Sequence, residues 1–507
     1  MMKGANILFP CLIAVLIVLI RSNEVPPKAT TKPHVLFLLV DDLGWTDISL
    51  HNAEYETKNI DALLESGIEL TNYYTHLDCS PTRSAIMTGQ YSFKNGLQNI
   101  ATIGPGTTEH IPFENPTMAE LLKEQQYSTH MLGKWHLGYA AWNMTPTGRG
   151  FDSYFGYMQG MGDYYNHTIL DGYDFWDNQD DIHTKVMNEY STGLYDKTVH
   201  KILDAYNQSS KAEPLFIYMA FQTVHTPIEI SPNTYDECNG ITYDGRKIYC
   251  NKMQYLDNTI LDYVNAFKAY DLWDDTLVIF STDNGGMPYW EDKPNSPVVS
   301  YGCNMPHRAG KATLFEGGVH GIGAIAGGDN VIPSHLRGTQ SNILAHAIDW
   351  LPTVLAGVIG AKLPDNVPFD GISMWDALMN PTQSTALWNR TTLYIDIEKN
   401  GTFAGVIDGD MKFFQGEQMY TAYFPCNGTY TPYDNTSDTD TVWLFNLKND
   451  PGEYNNLAKD NPDLVKKYQN MIYDFIENDG YVPEQDDTMQ IDSNPIFHNG
   501  VWAPFLN

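Results

Sequence analysis

The sequence predicts an α/β fold: a large mixed, mostly parallel sheet sandwiched by helices, plus a small C-terminal antiparallel sheet with a helix. Up to about residue 385, continuous apolar runs alternate with helical patterns, which is typical of parallel strands buried on both faces. Polar residues recur directly after those runs. After residue 385, short strand patterns and tight turns replace the long apolar runs. The chain is therefore expected to form a catalytic domain at 34–385 and a small C-terminal subdomain at 386–507.

Four apolar runs predict buried strands of the large sheet, at residues 35–40, 127–132, 215–221 and 276–280. Helices are expected at 59–66 and from Asn115, which would be the cap, with Pro116 in the first helical position. The carboxyl ends of the strands in an open α/β sheet are where active sites form. The polar residues that follow these runs are therefore expected to share one site.

The C-terminal part has a different pattern. Short runs at 393–397, 403–407, 411–414 and 442–445 predict strands, and Asp408-Gly409 predicts a tight hairpin turn. An amphipathic helix is expected at 462–476. These elements predict a small antiparallel sheet with one helix.

The first 22 residues are interpreted as a cleaved signal peptide. Lys3 precedes an apolar run at 7–20 that is too short to span a bilayer comfortably, although an uncleaved signal anchor is the alternative. Nothing later in the sequence has the pattern of a membrane span. Entry into the secretory pathway is also supported by seven Asn-x-Ser/Thr glycosylation sites. They are Asn143, Asn166, Asn207, Asn389, Asn400, Asn427 and Asn435.

The cysteines fit an oxidising compartment. Of six, one lies in the signal peptide and Cys79 belongs to a motif described below. The remaining four allow three connectivities. We expect Cys238 to pair with Cys250 in a local loop, and Cys303 to pair with Cys426 over a long range.

The acidic balance of the chain restricts its partners. A formal net charge of −32 excludes nucleic acid, because phosphate binding needs clustered Lys and Arg. Protonation of all 15 histidines would raise this charge only to about −17. A long polyanion would be repelled by this field, whereas a small anion needs only a local positive pocket.

The most specific motif is Cys-Ser-Pro-Thr-Arg at 79–83. A cysteine followed by proline at the second position and arginine at the fourth matches the sulfatase signature, in which the formylglycine-generating enzyme of the endoplasmic reticulum oxidises the thiol to formylglycine. The hydrated aldehyde carries two hydroxyls on one carbon, so that one can attack sulfur and the other can later expel sulfate. A disulfide cysteine near a turn is the alternative interpretation of Cys79.

Two oxygen-rich segments are expected to bind calcium. Asp41-Asp42 and Asp283-Asn284 each follow a predicted buried strand and supply the hard oxygen ligands that calcium prefers. An isolated pair of this kind is more often a solvated loop or a helix cap. Two such segments at strand ends, together with Cys79, favour a metal site.

Five further side chains are candidates for acting on an anion. Lys134 and His136 lie in one glycine-bounded segment, and Lys311 lies in another. Together with Arg83, the two lysines are expected to surround the negative charge that develops during attack on sulfur. His136 is expected to serve as general base and His225 as its partner or as the acid for the leaving group. Each motif taken alone would more often be a surface lysine or a structural histidine.

Together these segments resemble the sulfatase family of the alkaline phosphatase superfamily, and more closely its arylsulfatase B group. The resemblance is carried by the motif at 79–83, by Asp-Asp-Leu-Gly-Trp at 41–45, by Ser-Thr-Asp-Asn-Gly-Gly at 281–286 and by Leu-Phe-Glu-Gly-Gly-Val at 314–319. It covers roughly residues 34–480. The resemblance implies an alkaline-phosphatase-like fold and one calcium ion per chain. It implies that the ligands of this ion are Asp41, Asp42, Asp283, Asn284 and the formylglycine at position 79.

By the same resemblance, the residues that act on the sulfate are Arg83, Lys134, His136, His225 and Lys311. Thr82 departs from the commoner serine and Gln90 from the frequent arginine, but neither supplies an atom that the reaction needs. The implied substrate is of the N-acetylgalactosamine 4-sulfate type, hydrolysed in lysosomes at acid pH.

Three alternatives remain at this point. A secreted digestive or detoxifying relative would remove sulfate from small aryl sulfates or glucosinolates. A phosphatase or phosphonate hydrolase of the same superfamily would share the sheet, but the motif at 79–83 and a ligand set for one calcium argue against it. An inactive sulfatase-like binding or storage glycoprotein is disfavoured because all the predicted site residues are present.

Overall fold

The computed structural model describes residues 32–98, 103–209, 213–288, 300–426 and 440–506. The predicted signal peptide and the glycosylation sites Asn427 and Asn435 lie outside these residues. Across the described ranges, no helix combines the length and the apolar character needed to cross a bilayer.

The strands are numbered in chain order. They are β1 (His34–Val40), β2 (Ile68–Leu70), β3 (Tyr73–Tyr74), β4 (Ser128–Lys134), β5 (Ser153–Tyr157), β6 (Thr168–Ile169), β7 (Gly172–Tyr173), β8 (Trp176–Asp177), β9 (Asp180–Asp181), β10 (Leu215–Ala220), β11 (Thr276–Thr282), β12 (Gly323–Gly327), β13 (Thr339–Ser341), β14 (Ala345–His346), β15 (Thr392–Glu398), β16 (Phe403–Asp408), β17 (Met411–Gln415) and β18 (Val442–Asn446). All four predicted buried strands and all four predicted C-terminal strands are present, with ends shifted by at most a few residues.

Within the described part of the chain, the largest sheet has ten strands in the order β13-β2-β12-β11-β1-β10-β4-β5-β8-β9. Its central five strands, β11-β1-β10-β4-β5, run parallel. The register aligns Leu38 of β1 with Met219 of β10 and with Phe280 of β11. Strands β12 and β8 are antiparallel to their neighbours β11 and β5, so the sheet is mixed and mostly parallel, as predicted.

Strand β1 lies at the centre of two hydrophobic layers. Leu36 and Leu38 face one buried cluster, and Val35 and Phe37 face the other. Because side chains alternate along a strand, a strand that is apolar at every position must be covered on both faces. The helices supply that cover.

The helices are α1 (Lys58–Glu65), α2 (Cys79–Thr88), α3 (Met118–Glu124), α4 (His183–Val186), α5 (Ser191–Gln208), α6 (Asp244–Ala269), α7 (Glu316–Val319), α8 (Trp350–Pro352), α9 (Trp375–Met379), α10 (Ser384–Leu387) and α11 (Pro462–Asn478).

The expected helix start at Asn115 is wrong. Thr117 caps α3: its hydroxyl accepts from the Glu120 N–H at 3.1 Å, and the Glu120 carboxylate accepts from the Thr117 N–H at 2.7 Å. This reciprocal pair satisfies two helix-end donors, so the helix starts two residues later than a proline-based rule predicts. Pro116 precedes the cap.

The small antiparallel sheet has the order β15-β16-β17-β18 and packs against α11. Its apolar side chains belong to the same buried cluster as one face of the large sheet. The chain after α11 returns across the large sheet's domain, where the N–H of Val482 donates to the Phe93 carbonyl and that of Phe505 to the Ala140 carbonyl, both at 2.9 Å. The small sheet and the last residues are therefore fastened to the large one.

The disulfides join Cys238 to Cys250 and Cys303 to Cys426, which is the pairing that we expected. The second bond connects the segment next to the oxygen-rich strand ends with the C-terminal sheet region. The five predicted glycosylation sites that fall within the described residues are all exposed. They are Asn143, Asn166, Asn207, Asn389 and Asn400.

Candidate active site

Four neighbouring parallel strands of the large sheet, in the order β11-β1-β10-β4, end at the same edge. Strand β1 leads into Asp41 and Asp42, and β11 into Asp283 and Asn284. Strand β4 ends at Lys134, and the loop after β10 carries His225. The fold thus brings together side chains that are far apart in the sequence. This edge is where ligands bind in open α/β sheets.

The oxygen-bearing side chains form a closed, fully buried group. The N–H of Asp42 donates to Asp283 Oδ1 at 3.1 Å, and Asn284 Nδ2 donates to Asp42 Oδ1 at 2.7 Å. Asn284 Oδ1 is buried and has no hydrogen-bond partner among the described residues. A buried amide oxygen without a donor is costly unless a cation faces it. The oxygen atoms present therefore fit a calcium ion, with Asn284 contributing its carbonyl oxygen.

Three cations face these carboxylates: Arg83, Lys134 and Lys311. Arg83 donates twice to Asp283 Oδ2, at 3.1 and 2.7 Å. Lys134 Nζ donates to Asp41 Oδ2 at 2.9 Å. Burial opposes ionisation of Asp41, but the positive charge of Lys134 and of its neighbours outweighs burial and lowers the pKa of Asp41 to about 2. The positive charge of Lys311 likewise lowers the pKa of Asp42 against the effect of burial, so Asp41 and Asp42 are held in the ionised form that binds a metal ion.

Lys311 connects the carboxylates to the cysteine. Its Nζ donates to Asp42 Oδ1 at 2.6 Å and to Cys79 Sγ at 3.0 Å. Burial opposes its charge, but the nearby Asp42 raises the pKa of Lys311 well above its ordinary value. Lys311 is therefore a fixed positive charge beside the sulfur atom.

Cys79 is the first residue of α2. The Asp78 carboxylate accepts from its backbone N–H at 2.7 Å and caps the helix. The Cys79 thiol lies 3.6 Å from Asp41 Oδ1. Burial raises the pKa of this thiol well above its ordinary value, although Lys134 and Lys311 oppose the shift. An unmodified Cys79 is therefore a neutral thiol and a poor nucleophile.

The two predicted histidines flank this group. His225 places Nε2 3.6 Å from Asp42 Oδ2, while its Nδ1 lies 2.7 Å from the Thr226 carbonyl oxygen. Because that carbonyl accepts the Nδ1 proton, Nε2 is the nitrogen left to exchange a proton with a ligand. Burial lowers the pKa of His225.

His136 follows the end of β4 and is also buried. Burial lowers the pKa of His136 well below its ordinary value, and the positive charges of Lys134 and Arg83 lower it further. The neutral ring that results is the form of histidine that accepts a proton. Its Nδ1 has no hydrogen-bond partner among the residues that the structure describes.

Sequence reasoning missed Lys252, which lies on α6 and is fully buried. Its ammonium donates to the carbonyl oxygens of Val224, His225 and Pro227, at 3.2, 2.7 and 3.2 Å. It also lies 4.1 Å above the ring of Tyr164. Burial lowers the pKa of Lys252 to about 7. Nothing in the helical pattern marks this lysine, because its partners are backbone atoms of a distant loop.

The fold and the site geometry agree with comparisons to known proteins. Residues 33–360 match the family model described as Sulfatase. The chain belongs to the sulfatase family. It is a sulfuric ester hydrolase that acts on sulfated substrates.

Several curated relatives of this sulfatase share most of its length. Arylsulfatase J of Mus musculus is 31% identical over 95% of this chain and 82% of its own length. Arylsulfatase A of Homo sapiens is 30% identical over 84% of this chain and 83% of its own. N-acetylgalactosamine-6-sulfatase of Homo sapiens is 28% identical over 69% of this chain and 66% of its own.

Solved structures resemble the sulfatase in fold. Ps i-CgsB in complex with k-i-k-neocarrahexaose has a TM-score of 0.71 at 24% identity, covering 90% of this chain and 95% of that one. BT4656 in complex with D-glucosamine-2-N,6-O-disulfate has a TM-score of 0.62 at 17% identity, covering 90% and 100%. These similarities establish the predicted alkaline-phosphatase-like fold.

Proposed function

We propose that this sulfatase hydrolyses sulfate monoesters of sugars with a formylglycine made from Cys79 and one calcium ion. The observation that carries the proposal is the position of the Cys79 sulfur, 3.6 Å from Asp41 and 3.0 Å from Lys311 at the start of α2. The position of this sulfur, next to both an expected metal ligand and an expected sulfate contact, supports the proposed role of residue 79.

The state of the thiol supports its conversion. Burial keeps Cys79 neutral, so the cysteine itself is a weak nucleophile. Formylglycine would supply a hydrate with two hydroxyls, one to attack sulfur while the ester S–O bond breaks, and one to lose its proton as sulfate leaves and the aldehyde re-forms. His136 would accept a proton from the hydrate, because its ring is neutral. His225 would exchange a proton at Nε2 with the leaving oxygen.

The oxygen ligands of the site, three carboxylates and the unpaired amide oxygen of Asn284, support a calcium ion. Asp41, Asp42 and Asp283 balance the three cations Arg83, Lys134 and Lys311 in direct contacts. Bound calcium would add two positive charges and polarise the oxygens of the ester. The two lysines would then share their aspartate partners with the ion. Lys311 lies beside the Cys79 sulfur and Lys134 beside Asp41, so both lysines would be close enough to contact sulfate oxygens.

The substrate class is proposed from charge and from the relatives. One relative is named N-acetylgalactosamine-6-sulfatase, and two solved structures of similar fold are complexes with k-i-k-neocarrahexaose and with D-glucosamine-2-N,6-O-disulfate. The formal charge of −32 repels long polyanions, so a terminal sulfated sugar is favoured. The resemblance of the sequence motifs to the arylsulfatase B group makes a sugar of the N-acetylgalactosamine 4-sulfate type the first candidate. A small aryl or glucosinolate sulfate is the second candidate, because such a ligand also needs only a local positive pocket.

We also propose maturation in the secretory pathway, with a lysosomal or extracellular destination. The exposure of the five described glycosylation sites and the two disulfides support this route. The formylglycine-generating enzyme would be the maturation partner.

The first test is the mass of the tryptic peptide 59–83 from secreted, folded protein. Formylglycine replaces one sulfur and two hydrogens of the cysteine by one oxygen, and a peptide with that lower mass is expected. A peptide that carries only the thiol form in active protein would contradict the proposed nucleophile. A Cys79→Ala variant, which cannot be converted, is the control.

Initial rates with calcium then test the substrate. An N-acetylgalactosamine 4-sulfate oligosaccharide, a nitroaryl sulfate, a glucosinolate and a nitroaryl phosphate should be compared at acid and neutral pH. Preference for the oligosaccharide at acid pH is expected. Preference for a small sulfate would favour the second candidate, and a faster phosphate reaction would contradict both.

A further inference from the structure

A second group of metal-ligand side chains lies outside the active site. His307, Glu316 and His320 each offer one ligand atom, and these atoms all lie within 4.8 Å of one another. None of the three belongs to the site described above. The group brackets the segment that carries Lys311.

His307 is buried among aromatic rings and beside the backbone carbonyl of Pro451. It is 7% exposed, and only one of its two ring nitrogens can face the Pro451 carbonyl, so the other has no hydrogen-bond partner among the described residues. The ring nitrogen Nε2 of His320 is likewise buried and without a partner there. Buried polar atoms are almost always paired, so unpaired ring nitrogens on two neighbouring buried histidines point to a missing ligand.

The spacing of the ligand atoms fits a tetrahedral ion. His320 Nδ1 lies 2.9 Å from Glu316 Oε2, and the rings of His307 and His320 have centroids 4.7 Å apart at an angle of 34°. Two ligands bound to one tetrahedral zinc at about 2.1 Å each lie about 3.4 Å apart. Small movements of these side chains would therefore bring all three ligand atoms to one ion.

The surroundings support the ligands in the manner of a metal site. Lys412 Nζ donates to Glu316 Oε1 at 2.7 Å, and the Tyr74 hydroxyl donates to Oε2 at 3.1 Å. Such hydrogen bonds fix the orientation of a coordinating carboxylate. Trp45 packs against both histidine rings, with centroids 5.1 and 4.7 Å away. An ion pair between Glu316 and His320 would account for the 2.9 Å contact, but it would leave His307 unexplained.

We propose that His307, Glu316 and His320 bind one zinc(II) ion, separate from the calcium site. Two imidazoles and one carboxylate are a ligand set typical of zinc, whereas calcium prefers oxygen ligands alone. His307 precedes Lys311 and Glu316 follows it, so a bound ion would tie the two ends of this segment together. The ion would hold the Lys311 loop against the active site.

The test uses the full secreted protein, equilibrated with trace zinc and excess calcium and then freed of loose metal. Elemental analysis is expected to give about one zinc per chain, falling to about zero in His307→Ala and His320→Ala. Calcium content should stay unchanged in both. His335→Ala removes an exposed histidine and is the matched control, which should keep its zinc.

Two further measurements make the result decisive. Competition with a chromophoric chelator should give wild-type protein a zinc affinity at least about tenfold above that of His320→Ala. Asn284→Ala should keep the zinc. Wild-type protein that retains no zinc above the level of a protein-free buffer blank would overturn the proposal. So would zinc that is lost in Asn284→Ala and kept in His320→Ala, because it would then occupy the calcium site. The wild-type measurement decides the question even where a variant fails to fold.

Discussion

Replacing Lys252 by methionine tests whether a buried cation holds the His225 loop in its working position. The lysine reaches the loop from α6 and donates to the carbonyls of Val224, His225 and Pro227. Methionine keeps most of the apolar stem and removes the donors. The prediction depends on the proposed role of His225 in catalysis.

The size of the effect follows from what each carbonyl retains. The His225 carbonyl still accepts from the Tyr164 hydroxyl at 2.9 Å, and the Pro227 carbonyl from the Glu229 N–H at 3.0 Å. The Val224 carbonyl loses its donor. Leaving one buried carbonyl without a hydrogen-bond donor costs about 2 kcal/mol. The loop can avoid this cost by moving out of its working position. A shift of that energy lowers the population of the working loop, and hence kcat, by about 30-fold.

The assay is steady-state kinetics on a nitroaryl sulfate, with rates expressed per mole of formylglycine and calcium content measured in parallel. Lys268→Met is the matched control, because Lys268 lies on the same helix and is exposed. We expect kcat to fall while calcium content stays constant. Equal kcat in the two variants, with Lys252→Met folded, would refute the positioning role. A parallel loss of calcium would also refute it, since the damage would then be general.

Three further outcomes are expected. Asn284→Ala removes a buried oxygen ligand and should weaken calcium binding at least about tenfold in a calcium titration, with unchanged binding contradicting the proposed ligand set. Burial raises the pKa of Glu229 from its ordinary 4.5 to about 7, so its stabilising contribution is complete below about pH 4.5 and is lost as the pH rises through 7. Glu229→Gln should therefore flatten the fall of Tm across this pH range, and an unaltered pH profile would count against it. The double variant Cys303→Ser/Cys426→Ser opens a crosslink that spans 123 residues and should lose about 3 kcal/mol of stability, seen as a lower Tm than that of a nearby Ser→Ala control.

Much of the fold could be predicted because the central strands β1, β10 and β11 of the large sheet contain continuous apolar runs. Strand β1 has a sequence that only burial on both faces explains, and the same holds for β10 and β11. The start of α3 could not be predicted from Pro116, since the reciprocal hydrogen bonds between Thr117 and Glu120 decide it. Local rules conflict at such a point, and the sequence alone does not rank them.

The candidate site was predictable for a related reason. Asp41, Lys134 and Asp283 each lie at or directly after the end of a parallel strand, and parallel strands end together. The rule places residues at one edge without any knowledge of loops. It requires only that the strands be recognised, and their apolar runs make that possible. Whether these residues bind calcium and sulfate remains a prediction for the experiments above.

The residues that could not be predicted, Lys252 and His307, share one property. Their partners are backbone atoms or side chains that no sequence pattern links to them. Lys252 is one lysine in a long helix, and its role depends on three carbonyls of a loop that α6 happens to face. His307 is one histidine beside a proline, and its significance comes from its buried place next to Glu316 and His320, where a ring nitrogen has no partner. In both cases a polar group is buried, and a partner must offset the free-energy cost of removing that group from water. Burial is a property of the folded chain, so the role of such residues can be recognised only from the hydrogen-bond partners of each buried polar atom in the structure.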